Sequence, residues 1–92
     1  MLTETHPIIN RKGLHARAAA KLATLANQHQ ARVQARLNGG TGSWVDAKSV
    51  MSLMLLAASM GTALEISCEG EDATAAMDAI RALIADRFEE GE

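Results

Sequence analysis

The stretch ARVQARLNGGTGSWVD, residues 31–46, decides the fold of this 92-residue chain. In residues 31–37 small or apolar side chains alternate with arginine and glutamine, which is the pattern of a strand with one buried and one solvated face. The glycine-rich residues 38–42 predict a hairpin loop, and residues 43–46 predict a short return strand. The stretch therefore predicts two antiparallel strands joined by a hairpin.

A strand and a helix are predicted before this hairpin. Residues 2–9 include β-branched side chains and predict a strand, and Pro7 indicates a sheet edge because proline cannot donate to a β-ladder. Residues 10–13 predict a turn. Residues 16–27 are rich in alanine, with apolar positions at helical spacing, and predict the first helix.

Two helices and one strand are predicted after the hairpin. Ser49 can cap a helix that runs to residue 59, residues 63–69 predict a strand, and Asp72 can cap a helix over residues 73–88. The predicted order is β-α-β-β-α-β-α. This order is typical of an α+β fold in which helices cover one face of a small antiparallel sheet.

The second predicted helix is apolar almost all round, so it has two faces to cover. We expect Met51, Met54 and Leu55 on its flank or outer side. We expect its core side to comprise Leu53, Leu56, Ala57 and Met60. The stripe of the third helix comprises Ala73, Ala76, Met77, Ile80, Leu83 and Ile84.

Length, charge and cysteine content exclude several classes of protein. A chain of this length forms one domain, here residues 1–92, and its net charge of −2 lacks the basic excess of a nucleic-acid binder. No segment offers the roughly 20 apolar residues of a membrane span, nor is there a targeting leader, so we expect a cytoplasmic protein. Cys68 stands alone, which excludes an internal disulfide and a cysteine-based metal site, and we expect it to be buried.

The segment Gly13-Leu14-His15-Ala16-Arg17 places a histidine at the start of the first predicted helix. The backbone N–H groups of Ala16 and Arg17, together with the Arg17 guanidinium, could hold an anion there. Gly13 would permit a close approach and leave room above the ring. The positive helix terminus also favours a neutral imidazole, whose lone pair can attack phosphorus.

The other two histidines lack such surroundings. His6 lies in a predicted strand beside Pro7, and His29 lies in a polar run after the first helix. We expect both to be ordinary surface residues. Three scattered histidines and one cysteine do not favour a metal site, and no cofactor is predicted.

Two motifs resemble those of the HPr family, the histidine-containing phosphocarriers of bacterial phosphotransferase systems. Residues 10–17, NRKGLHAR, are similar to the active-site signature of that family, and residues 47–55, AKSVMSLML, are similar to its second signature. The order of elements agrees across nearly the whole chain. Ala18 departs from the proline that many members carry, but alanine also suits the first turn of a helix.

The resemblance implies a fold and a function. It implies an open-faced β-sandwich with a four-stranded antiparallel sheet in the order 1-4-2-3, covered on one face by three helices. It also implies that His15 takes a phosphoryl group on Nδ1 from phospho-enzyme I, which phosphoenolpyruvate charges, and gives it to an enzyme IIA domain. Arg17 would steady the transferred group. The chain would thus be a stoichiometric carrier and not an enzyme.

The second motif implies contacts with partners. Val50, Met51 and Met54 match docking positions of the family, and flexible methionine side chains adapt to several partners. The alternative for these three residues is that they complete the core. Basic side chains could frame the patch against acidic partner surfaces, namely Arg11, Lys12, Arg17 and Lys48.

Ser49 has a structural and a regulatory interpretation. As a helix cap it would contribute about 1 kcal/mol. In some members of the family the matching serine is phosphorylated by HPr kinase/phosphorylase, and the added charge hinders the approach of enzyme I.

Three alternatives remain at this point. Within the family, the nitrogen-related branch uses the same histidine chemistry in a regulatory circuit. An acylphosphatase-like enzyme, which would use an arginine and a phosphate-binding loop, also fits the size and architecture. The third alternative is a small metal chaperone or ligand-sensing module.

Overall fold

A computed structural model describes residues 1–37 and 43–90, and the predicted hairpin loop at residues 38–42 lies outside the described residues. A short 3₁₀ helix, Arg87–Glu89, follows the last α-helix. The other elements, in chain order, are β1 (Leu2–Pro7), α1 (Ala16–Asn27), β2 (Arg32–Leu37), β3 (Val45–Asp46), α2 (Val50–Met54), β4 (Ala63–Glu69) and α3 (Ala73–Ala85).

The four strands form one antiparallel sheet in the order β1-β4-β2-β3, which confirms the implied topology. Strand β4 lies inside the sheet and pairs with both β1 and β2, while β1 forms an edge, as Pro7 predicts. Three α-helices complete an open-faced α+β fold. No helix among the described residues has the length and apolar character that crossing a membrane requires.

Alternate residues of the inner strands build the core, as their sequence pattern predicts. Ala35 pairs directly with Ile66, and Val33 pairs directly with Cys68, so all four side chains face the helices. All four are buried, and Cys68 is a free thiol. The helices contribute Leu22, Leu53, Met77, Ile80 and Ile84 to the same core.

Edge strand β1 presents charged side chains to the helix layer. Glu4 pairs with Ile66 and His6 pairs with Leu64, so both face inward, where the Arg81 Nη2 of α3 donates to the Glu4 carboxylate at 2.6 Å. The expectation that His6 is an ordinary surface residue is therefore wrong, because its side chain is only 12% exposed. Burial lowers the pKa of the His6 ring, and the Glu4 carboxylate offsets part of this effect. Inward-pointing charge is one way to protect a sheet edge from pairing with another chain.

Helix α2 is shorter than predicted. It ends at Met54 and not at residue 59, and Ala57 has a left-handed φ of 51°. Because helical spacing stops at Met54, two of the three core positions predicted beyond it are wrong: Ala57 is exposed and Met60 is 57% exposed. Leu56 is partly buried and packs against the core. Leu53 is fully buried, as predicted.

The Asp72 side chain has a different role from the predicted one. It makes no capping hydrogen bond to α3. Its carboxylate instead accepts from the backbone N–H groups of Gln30 at 2.9 Å and Ala31 at 2.7 Å. These hydrogen bonds, that from Gln30 first, hold the pKa of Asp72 below its ordinary value although burial acts against them. Asp72 thus connects the start of α3 to the turn before β2.

Candidate functional site

His15 is the residue immediately before helix α1. Its backbone is extended, with φ −78° and ψ −178°, and its carbonyl accepts the first helical hydrogen bond, from Ala19 N at 2.8 Å. The N–H groups of Ala16, Arg17 and Ala18 precede that bond and have no carbonyl four residues earlier in the helix to bind. The His15 side chain is 26% exposed, so solvent reaches the ring beside this helix terminus.

Gly13 shapes the loop that carries His15, because the backbone approaches a neighbouring segment closely there. Its φ is +67°, and a Cβ added there would lie 2.5 Å from the Ala58 carbonyl oxygen and 2.8 Å from Ser59 Cα. The same Ala58 oxygen accepts from Leu14 N at 2.8 Å. Glycine is therefore required so that the His15 loop can pack against the segment after α2, and the room that it would leave above the ring stays a prediction.

Three cations gather beside the site. A cavity of about 270 Å³ is lined by Arg11, Lys12, Arg17, Glu89 and Glu90. Among residues 1–37 and 43–90 the Arg17 guanidinium has no hydrogen bond or ion pair, so its donors can serve a ligand.

Lys48, the fourth predicted basic residue, lies elsewhere. Its ammonium donates to the His29 carbonyl at 2.9 Å, after the C-terminal end of α1, whereas His15 precedes the N-terminal end. A helix of 12 residues is about 18 Å long, so Lys48 does not share the His15 cavity.

Glu90 completes the site and was not predicted. Its carboxylate contacts His15 Nε2 through one oxygen, and the other oxygen accepts from Asn10 Nδ2 at 2.8 Å. Asn10 is fully buried and also donates to the Gly13 carbonyl at 2.7 Å. Burial raises the pKa of Glu90, but the hydrogen bonds from Asn10 and His15 outweigh it and leave this pKa below its ordinary value. The charge beside the ring is thus mixed, where the sequence indicates only positive charge.

The segment before Glu90 is anchored to α1. Phe88 is fully buried, and Lys21 Nζ donates to the Phe88 carbonyl at 3.0 Å and pairs with Glu89 at 3.1 Å. Arg87, Phe88 and Glu89 all have positive φ, between 53° and 66°, which ends α3 and turns the chain toward His15. The sequence carries one signal for this arrangement: Phe88, an aromatic side chain that favours burial, is followed directly by Glu89 and Glu90.

The second motif lies on α2. Ser49 caps this helix, since its Oγ accepts from Ser52 N at 3.2 Å. Met51 is 75% exposed and Met54 is also exposed, whereas Val50 is partly buried against the core. With Leu55, the two exposed methionines form an apolar patch, which we call the α2 patch (Met51, Met54, Leu55).

The chain is similar in sequence and in structure to proteins of one family. Residues 2–86 match a family model described as PTS HPr component phosphorylation site. The phosphocarrier protein HPr of Cupriavidus necator is 49% identical over 92 residues, 100% of both chains, and that of Pseudomonas aeruginosa is 47% identical over 92% of both. The crystal structure of HPr from Thermoanaerobacter tengcongensis superposes with a TM-score of 0.89 at 34% identity, covering 98% of each chain.

Proposed function

Because the chain belongs to the HPr family of phosphocarrier proteins of the phosphotransferase system, we propose that it carries a phosphoryl group on His15. Family membership confirms the resemblance drawn from the two motifs and decides against the acylphosphatase-like and metal-chaperone alternatives. The phosphoryl group would come from phospho-enzyme I and go to an enzyme IIA domain. The whole chain would act in the cytoplasm as one domain.

The observation that carries this proposal is an accessible imidazole at a helix N-terminus beside a guanidinium. Nδ1 of His15 would attack phosphorus and form a new N–P bond. The bond between phosphorus and the donor atom of phospho-enzyme I would break, and its electron pair would return to that atom. The N–H groups of Ala16 and Arg17 and the Arg17 side chain would stabilise the phosphoryl oxygens.

The test is incubation of the chain with enzyme I and phosphoenolpyruvate, followed by intact mass measurement. We expect a gain of one phosphoryl group per molecule that is lost in acid. Subsequent addition of an enzyme IIA domain should remove the group. Absence of any gain with active enzyme I would overturn the proposal.

The α2 patch would be the docking surface for these partners. Its large apolar side chains lie in solvent, and the segment after α2 is bonded to the His15 loop through Leu14 N and the Ala58 carbonyl. Exposed apolar side chains next to a reactive group are typical of a partner site. Arg11, Lys12 and Arg17 would face acidic partner surfaces.

We expect Met51→Asp to slow phosphoryl transfer from enzyme I by at least about tenfold, because an unpaired carboxylate would be desolvated in the interface. The measurement is the initial rate of phosphorylation at limiting enzyme I. Thr74→Asp, which introduces the same charge at an exposed position on α3, is the matched control and should transfer normally. Unchanged transfer by Met51→Asp would show that the patch does not dock enzyme I.

Ser49 would be a regulatory phosphorylation site for HPr kinase/phosphorylase. It directly precedes Val50 and Met51, so its phosphate would add about −1.5 to −2 charges beside the α2 patch. With this kinase and ATP we expect an acid-stable gain of one phosphoryl group, absent in Ser49→Ala, and slower transfer from enzyme I to the modified chain. A gain that persists in Ser49→Ala would place the modification on another residue.

A further inference from the structure

The contact between Glu90 and His15 bears on which nitrogen of the ring can react. A neutral imidazole carries one proton, and the hydrogen bond made by one nitrogen decides which nitrogen keeps the lone pair. An ionised carboxylate can only accept hydrogen bonds. Since the Glu90 carboxylate contacts Nε2, that nitrogen must carry the proton when the carboxylate is ionised.

We propose that Glu90 is a positioning residue whose carboxylate holds the proton of His15 on Nε2 and thereby leaves the Nδ1 lone pair free to take the phosphoryl group. The choice of Nδ1 rests on the proposed function. Glu90 does not touch the transferred group and acts through the ring alone.

The carboxylate is itself held in place from two sides. Asn10, fully buried, donates to Glu90 and to the Gly13 carbonyl, so one amide group connects the His15 loop to the C-terminal segment. On the other side, burial of Phe88 and the Lys21 hydrogen bond to its carbonyl fix the chain two residues earlier. The Glu90 side chain is only 10% exposed, so little water competes for its oxygens.

The backbone before Glu90 has an unfavourable conformation, and the contact between Glu90 and His15 depends on it. Three consecutive residues other than glycine, Arg87–Glu89, have left-handed φ values, which are unfavourable for L-amino acids. Such conformations persist where surrounding contacts determine them, and they concentrate at functional sites. Here they direct the Glu90 side chain to His15.

The carboxylate would also act during transfer. When Nδ1 forms its bond to phosphorus, the ring acquires positive charge while the proton stays on Nε2, and no proton leaves the site. The electron pair of the broken bond returns to the donor atom. A carboxylate on Nε2–H would stabilise this charge, as the buried aspartate does for the histidine of a serine-protease triad.

The experiment measures the tautomer and the rate separately. Imidazole ¹⁵N NMR at about pH 8.5, roughly two units above the ordinary histidine pKa, reports the proton position in the neutral ring without any transfer reaction. The initial rate of phosphorylation by enzyme I and phosphoenolpyruvate is the second readout. Both are recorded for the wild type, Glu90→Ala, Glu90→Gln and the control Glu71→Gln, which removes an exposed carboxylate just before α3 that does not line the cavity beside His15.

We expect the wild type to show mainly the Nε2–H form, and Glu90→Ala to lose that preference and to accept the phosphoryl group about tenfold more slowly. Glu90→Gln should retain the Nε2–H form through its amide oxygen but react more slowly than the wild type, and Glu71→Gln should match the wild type. A wild-type tautomer ratio in Glu90→Ala, or an equal shift in Glu71→Gln, would overturn the inference. If the wild type shows the tautomer preference but takes no phosphoryl group, the proposed function fails and the assignment of the proton by Glu90 stands.

Discussion

Replacing His15 with alanine is expected to abolish the acid-labile mass gain completely, because the other two histidines have no comparable environment. The His6 ring lies on the inner face of β1 and its side chain is only 12% exposed, so a partner protein cannot bring a phosphoryl group to it. The His29 ring follows α1, near its C-terminal end, where the helix dipole is negative, and its Nδ1 donates to the Leu25 carbonyl at 3.1 Å. Only His15 combines exposure with unpaired backbone N–H groups and a guanidinium.

The matched control is His29→Ala, which removes an imidazole beyond the opposite end of the same helix and should leave the mass gain unchanged. His15→Ala is expected to fold, since its ring is partly exposed and belongs to no core cluster. A one-dimensional amide spectrum checks the fold of both variants. An acid-labile gain that survives in His15→Ala, or disappears in His29→Ala, would refute the assignment.

The sheet could be predicted from the sequence because its signals are local. The alternation in residues 31–37 predicts which side chains of β2 face the helices. The register of β2 with β4 and the burial of the paired residues confirm this prediction. The apolar stripe of α3 was predictable for the same reason, except that Leu83 is only partly buried. The strand order came from the resemblance, since nothing in a single strand encodes its neighbour.

The predictions that were wrong concern a segment in which apolar and polar residues do not alternate, and a side chain that hydrogen-bonds to a distant part of the chain. Helix α2 ends at Met54, but the residues on both sides of this point are apolar. The sequence pattern therefore does not show where the helix ends. Asp72 has the composition of a cap, yet two backbone N–H groups about 40 residues earlier in the chain bind its carboxylate instead. The local sequence therefore indicated that Asp72 accepts hydrogen bonds from backbone N–H groups, but not which ones.

In the candidate site, too, the residues that are close in sequence could be predicted and the distant one could not. His15, Ala16 and Arg17 are consecutive, and the start of α1 positions their backbone. Glu90 lies 75 residues away from His15 and reaches it only because Phe88 is buried and three residues adopt left-handed φ. Tertiary packing, and not local propensity, supplies the negative charge of the site.

Gly13→Ala is expected to lower the free energy of unfolding by about 2–5 kcal/mol. A left-handed φ at alanine costs about 1–2 kcal/mol. The new Cβ would also lie 2.5 Å from the Ala58 carbonyl oxygen, and relieving such overpacking costs a further 1–3 kcal/mol or so. Because that oxygen accepts from Leu14 N, the adjustment would also weaken the bond that holds the His15 loop.

Gly61→Ala separates the two contributions. Gly61 has φ +92°, and a Cβ added there meets nothing within 4 Å, so only the backbone term of about 1–2 kcal/mol applies. Urea denaturation of the wild type and both variants gives the comparison, and phosphorylation by enzyme I below the transition gives the effect on His15. Gly13→Ala should be clearly less stable than Gly61→Ala and slower to accept the phosphoryl group. Equal stability of the two variants would show that the loop can move away from Ala58 at no cost, and the account of Gly13 as a packing requirement would then be wrong.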